Sequence, residues 1–254
     1  MRRMDVFYRT YTLRRAIFSL LKPAQFQKWK KMRSVRTKEG FSLEPFDKHH
    51  CIFIHIPKSA GVSVSNSLFG GWTGGHTKMK AYTVIFNRKE FESYFKFTFV
   101  RNPWDRLFSA YNFLKKGGMF EEDRHWAKEN IDVFSDFQQF VTALPKHKYI
   151  LKHNHFAPQY EFICLPGDDE IRLNFMGFFE NIEDDFEDIK RRLSIDENIQ
   201  LKNENVTSVE HQDYKEHYTD EMKNIAANLY SKDIDLLGYN FDNSSLPSQL
   251  DARK

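Results

Sequence analysis

Two cationic side chains occupy corresponding places in this sequence. Lys58 follows the apolar run Cys-Ile-Phe-Ile-His-Ile at 51–56 and Pro57, in the stretch IPKSAGVS. Arg101 closes FKFTFVR at 95–101 and precedes Asn102 and Pro103, in the stretch FVRNPWDRLFSAYNF. A cation at the end of an apolar strand, followed by small residues and a helix, is suited to holding an anion, because the first N–H groups of a helix have no partner inside it. In the first stretch Gly61 permits close backbone approach. Ser59 and Ser63, on either side of Ala60, Gly61 and Val62, add hydroxyls, and Lys58 is a mobile cation over the concavity. An ordinary strand-to-helix turn with a solvated lysine is the alternative. In the second stretch Arg101 leaves a strand end, and Ser109 shares a helical face with Asp105, four residues earlier. Two anion sites on neighbouring strands suit a nucleotide with phosphate at both ends of its ribose. The GxxxxGK[ST] loop of ATPases is absent, and Arg106 is expected to pair locally, with Asp105 or a neighbouring helix.

Those residues need elements to carry them. Residues 51–56 and 95–101 are rich in β-branched and aromatic side chains and are stopped by prolines, which reads as two strands. Helices are expected over 62–69, entered through Ser63, and over 104–115, where Trp104, Leu107, Phe108, Tyr111 and Leu114 recur at helical spacing before Gly117 and Gly118. Beyond them the pattern predicts a helix over 131–144, a buried strand over 173–179, an acid-led helix over 180–193 and one helix from Thr219 to Leu237, closed by Gly238. Strand, turn and helix in alternation argue for an α/β fold with a mainly parallel sheet. Ligands of such folds gather at the carboxyl ends of the strands.

The 254 residues are 41% hydrophobic and 16% aromatic, with 25 Phe, enough for one large domain with a sizeable core and unlike a disordered chain. The reading divides the chain into a basic, partly amphipathic segment at 1–47, a main domain at 48–242 and a polar tail at 243–254. Cys51 and Cys164 sit in apolar runs as small buried hydrophobes, and neither a disulfide framework nor a zinc spacing is present, so a reducing compartment and no metal are expected. No apolar run approaches the length of a membrane span, and no continuous apolar leader opens the chain. A cytoplasmic protein, or one at the inner membrane face, is expected, with a Golgi lumen as the alternative for a trimmed chain.

The net charge of +3 conceals an asymmetry: residues 1–40 carry twelve Lys/Arg against Asp5 and Glu39, a local +10, and the other 214 residues carry −7. Met4, Phe7, Tyr8, Tyr11, Phe18 and Leu21 recur among Arg9, Arg14, Arg15 and Lys22 as in a basic amphipathic helix. A membrane surface or a polyanionic glycan could dock there; a helix packed on the domain with its basic face in water is the other reading. No nucleic-acid-binding motif is present, and nucleic acid is not an expected partner.

Together IPKSAGVS and FVRNPWDRLFSAYNF resemble the 5′- and 3′-phosphate motifs of sulfotransferases that use 3′-phosphoadenosine 5′-phosphosulfate (PAPS), in detail the family-2 carbohydrate sulfotransferases, including small bacterial members. Ser59 stands where that family more often has Thr. The resemblance continues through GGHTKM, HFAPQYEFIC, NFMGFFENIEDDF and DIDLLGYNF, over about residues 50–242. It implies a P-loop-like central parallel β-sheet flanked by helices, and transfer of a sulfuryl group from PAPS to a hydroxyl of a carbohydrate or polysaccharide acceptor without a metal. It also implies Lys58 as the catalytic lysine, Ser59 to Ser63 as the 5′-phosphate loop, and Arg101 and Ser109 as 3′-phosphate contacts. His76 resembles the base of uronosyl 2-O-sulfotransferases, with His155 as the rival and Glu161 or Glu180 as carboxylate alternatives. His55, inside a strand, reads as structural. The other readings are a nucleotide-dependent kinase and a non-catalytic relative that binds glycan or nucleotide. Lys78, Lys80, Lys115 and Lys116 either favour an acidic sugar chain or are solvated charges.

Overall fold

Three apolar runs form strands, and nearly every residue in them is buried, on both faces: β1 (Cys51–Ile54), β2 (Phe95–Val100) and β3 (Phe175–Phe178). Continuous burial of this kind belongs to a parallel sheet covered by helices on both sides. The computed structural model, which describes residues 3–36, 41–165, 168, 170–202 and 213–253, with side chains from residue 10 onward, bears this out. Among the described residues the sheet has three strands in the order β1-β2-β3, both pairs parallel. Phe53 lies opposite Phe97 with their rings stacked 4.9 Å apart. Gly177 lies opposite Phe99, and a Cβ there would stand 2.6 Å from the Phe99 ring, so only glycine lets the ring lie flat on β3. The architecture is the expected α/β fold, with a central parallel sheet flanked by helices.

The strands open into the turns of interest. β1 leads to the helix Gly61–Phe69, and β2 to the helix Pro103–Lys115. Asn102 caps the second of these, its side-chain oxygen accepting from the Trp104 N–H at 3.0 Å while Pro103 takes the first helical position. The first helix begins two residues before the expected entry at Ser63, from a left-handed Ala60 with no side-chain cap.

Two expected helices are drawn differently. The run 131–144 is a turn followed by the helix Phe137–Ala143, capped by Asp136, and a separate helix Glu121–Asn130 precedes it. Ile131, Phe134, Phe137 and Phe140 are all buried, and their three-residue spacing fits a turn as well as a helix. The span from Thr219 to Leu237 is two helices, Asp220–Leu229 and Ser231–Leu237, broken at Tyr230, whose hydroxyl is drawn inward to donate to Phe156 O at 2.8 Å. The polar tail contains the helix Leu246–Ala252, docked by Gln249 on Leu237 O and by Arg253 on the buried Asp185.

The basic segment forms α1 (Arg3–Leu21) and α2 (Pro23–Met32), and it packs on the body. Tyr11 is buried and donates to Phe86 O at 3.2 Å, Arg15 donates to Val84 O at 2.8 Å, and Arg33 forks between Asp47 and Glu90. Among the described residues no helix is long and apolar enough to cross a membrane.

Candidate active site

The turn after β1 is bent by two residues that are not glycine. Lys58 has φ 67° and Ala60 has φ 60°, each in the left-handed region that costs a side-chain-bearing residue about 1–2 kcal/mol. Two arginines from the second turn sustain it. Arg101 donates from Nη1 to Lys58 O at 3.1 Å, and Arg106 donates from Nε to Pro57 O at 2.9 Å. A left-handed residue beside a helical one turns their N–H groups toward a shared concavity, and here Ala60 leads into Gly61 at the start of a nine-residue helix. Gly61 is required by crowding: a Cβ there would lie 1.8 Å from Cδ2 of His55. His55, buried and stacked on Phe53, is therefore the floor against which the loop is laid.

The second turn is closed by hydrogen bonds on every side. The Arg101 N–H donates to Gln159 Oε1 at 3.0 Å, and Gln159 returns a bond from Nε2 to Arg101 O at 2.8 Å. The buried Asp233 accepts from the Gln159 and Tyr160 N–H groups at 2.7 and 2.8 Å; burial pushes its carboxyl up to about 6 against those bonds. Asn102 N donates to Glu180 Oε1 at 2.6 Å, and Tyr239 donates to the other Glu180 oxygen. The Arg101 guanidinium grips Asp105 through Nε and Nη2 at 2.8 and 2.9 Å and stacks 3.9 Å over the Phe179 ring. With the bond to Lys58 O, these bonds use three of the five N–H groups of an arginine. Arg106 pairs with neither Asp105 nor another side chain: besides Pro57 O it donates to Ala157 O at 2.9 Å and Asn154 O at 3.4 Å, tying the first turn to the loop that carries His155.

Lys58, Ala60, Gly61, Val62, Ser63, Arg101, His76 and His155 line one cleft of about 470 Å³. Ser59 and Ser109 are buried and stand outside its wall. The Lys58 ammonium lies 4.4 Å over the Phe113 ring. Rings run across the cleft: His55 to His76 at 4.9 Å and His76 to His155 at 5.3 Å edge to face, and Phe113 to His155 at 4.9 Å tilted by 38°. Burial pushes the His76 imidazole down to about 4, and holds His55 and His155 well below the usual histidine range. All three are neutral near pH 7, the form in which an imidazole nitrogen can accept a proton.

Asp123, which the sequence reading passed over, also lines the cleft. Its Oδ2 accepts from the Met119 and Phe120 N–H groups at 3.0 and 3.3 Å, and its Oδ1 lies 4.0 Å from His155 Nε2. The sequence offers only an acidic residue shortly after the Gly117-Gly118 pair; in the fold a Cβ on Gly118 would fall 2.2 Å from Asp123, so the glycine makes room for it. The carboxylate alternatives fare differently. Glu161 is paired with Lys78 at 2.6 Å, and Glu180 is spent on Asn102 and Tyr239; neither lines the cleft.

The donor set fits a phosphorylated anion. Three buried atoms without a hydrogen-bond partner belong to this neighbourhood, Ser59 Oγ, His153 Nδ1 and His155 Nδ1, beside two cations and a helix start. Among the described residues no group of His, Cys, Asp and Glu is arranged to hold a metal ion.

Residues 45–240 match the model of the sulfotransferase family, and the chain belongs to that family. It is also similar to an uncharacterised protein of Archaeoglobus fulgidus, 26% identical over 121 residues that make up 45% of this chain and 80% of that protein. No solved structure matches it.

Proposed function

We propose that the protein moves a sulfuryl group from PAPS to a hydroxyl of a carbohydrate acceptor. The observation that carries this reading is the strained Lys58 turn, tied by Arg101 and Arg106 and opening on the same cleft as His76 and His155. Bound PAPS would supply the sulfuryl group, the S–O bond to the bridging oxygen breaking as the bond to the acceptor oxygen forms. Lys58 sets its ammonium against the charge that grows on the departing oxygen, with the N–H groups of Ala60 to Ser63 around the 5′-phosphate. Arg101 offers its two remaining N–H groups to the 3′-phosphate, with Ser109 the nearby hydroxyl of the second motif.

His76 takes the acceptor proton. A neutral imidazole at a wall of the cleft has the lone pair this needs, and an anion bound beside it raises its proton affinity from the depressed value of the free protein. His155 stands next to it and faces Asp123, which makes it the rival base.

Calorimetric titration with adenosine 3′,5′-bisphosphate in EDTA, beside ATP with magnesium, on wild type and Arg101→Ala, tests the donor. Metal-free binding weakened about 10-fold or more in the variant is expected for a charge-assisted contact. Preference for magnesium ATP would turn the reading toward a kinase, and no binding by either would leave a non-catalytic relative.

A further inference from the structure

The helices that precede the family-matched region carry a surface the transfer chemistry does not use. α1 and α2 fold back on each other, Phe18 stacking on Trp29 at 5.1 Å and 12°, while Tyr11 and Arg15 fix α1 to the body. One exposed arc of α1 is apolar. Leu13 is 59% exposed, Ile17 45%, Leu20 80% and Leu21 76%. At about 100° per residue, these four fall within one arc of about 100°, turned away from Tyr11. Leu20 and Leu21 sit at the tip of the hairpin, next to Lys22. Arg14 and Lys22 border the stripe, Lys28, Lys31 and Arg36 are exposed further along the same segment, and no acidic residue occurs anywhere between 6 and 36.

We propose that this hairpin docks the protein on an anionic lipid surface, lying in the interface with Leu13, Ile17, Leu20 and Leu21 at the headgroup and acyl boundary and the cations against lipid phosphates. An apolar stripe flanked by Lys and Arg without acids is complementary to such a surface. A second copy of the chain is a poor occupant by the same charge argument, since a two-fold contact would bring two segments of +10 together. The proposal stands apart from the sulfuryl-transfer reading, and so does its test.

The full chain is sedimented with sucrose-loaded vesicles of phosphatidylcholine alone or with about one-third phosphatidylglycerol, at low salt and at about 0.5 M salt, where exposed charges are screened. Binding to the anionic vesicles, weakened by salt and reduced about 10-fold or more in Leu20→Glu/Leu21→Glu, is expected from the two contributions. Both leucines are exposed, so the variant should keep the wild-type Tm and bisphosphate affinity. Wild type that stays in the supernatant, or a variant that sediments as wild type does, overturns the proposal. A wild-type dimer by light scattering that the double variant splits assigns the stripe to a second copy and overturns it too.

Discussion

The two turns that open on the cleft are built in opposite ways. The turn after β2 is satisfied from within: Arg101, Asn102, Gln159, Glu180 and Asp233 close a network in which the polar groups answer one another. The turn after β1 holds two left-handed residues, a buried Ser59 hydroxyl with no partner and a lysine over a phenyl ring. Strain and an unmet hydroxyl stand in one turn and a dense network of hydrogen bonds in its neighbour, and strained backbone of the first kind persists only where surrounding structure holds it. The division is incomplete in one respect, because Arg101 belongs to the network and to the cleft wall at once.

Substitutions on either side should break in different currencies. Lys58→Ala should cost the most activity: removing a charge aimed at the reacting oxygen is expected to lower transfer by about 10²–10³-fold, with Tm near wild type because alanine keeps the Cβ that carries the left-handed strain. Near-normal turnover in that folded variant would empty the first turn of its chemistry. His76→Ala should follow, lowering kcat by about 10²-fold while the bisphosphate affinity measured by calorimetry stays near wild type. If His155→Ala shows that pattern instead, the base moves one ring along.

Arg106→Met should do the reverse of Lys58→Ala. It leaves the buried carbonyls of Pro57 and Ala157 unanswered, at about 1–3 kcal/mol each in the worst case, and should appear first as a lower Tm, with activity falling because the first turn is no longer pinned. A variant with unchanged Tm would mean that the turn keeps its shape unaided. The smallest effect is in pH. The folded protein holds His55, His76 and His155 below their unfolded value near 6.5, so between 6.5 and about 4 the unfolded chain binds more protons and stability falls as pH falls. Asp233, raised to about 6 from 3.8, works in the opposite sense over an overlapping window, but it is outnumbered. Denaturant melts across pH 4–7 should show this slope, and His76→Ala should reduce it by up to about 1.4 kcal/mol per pH unit.

How much of this was legible follows from where each cause lies. The strands, the two helices behind the turns, and Lys58 and Arg101 could be read because apolar runs ending at prolines are local signals. The left-handed conformations of Lys58 and Ala60 could not, since neither residue type favours them and the carbonyl ties come from Arg101 and Arg106, more than forty positions away. Asp123 escaped for a similar reason: nothing near it in sequence announces His155, which the fold brings to 4.0 Å. Gly61 was read as room for an approaching ligand, and its immediate neighbour is the His55 ring.

The ties from Arg101 and Arg106 also bear on what could be moved elsewhere. The six residues from Lys58 to Ser63 do not make a portable cassette, because the bend they adopt is written partly in a helix on the adjacent strand. Grafted alone into another strand-to-helix turn, IPKSAGVS would relax toward ordinary geometry; carried with the arginines of RNPWDR on a neighbouring parallel strand, it would keep its shape. The heritable unit is the pair of turns.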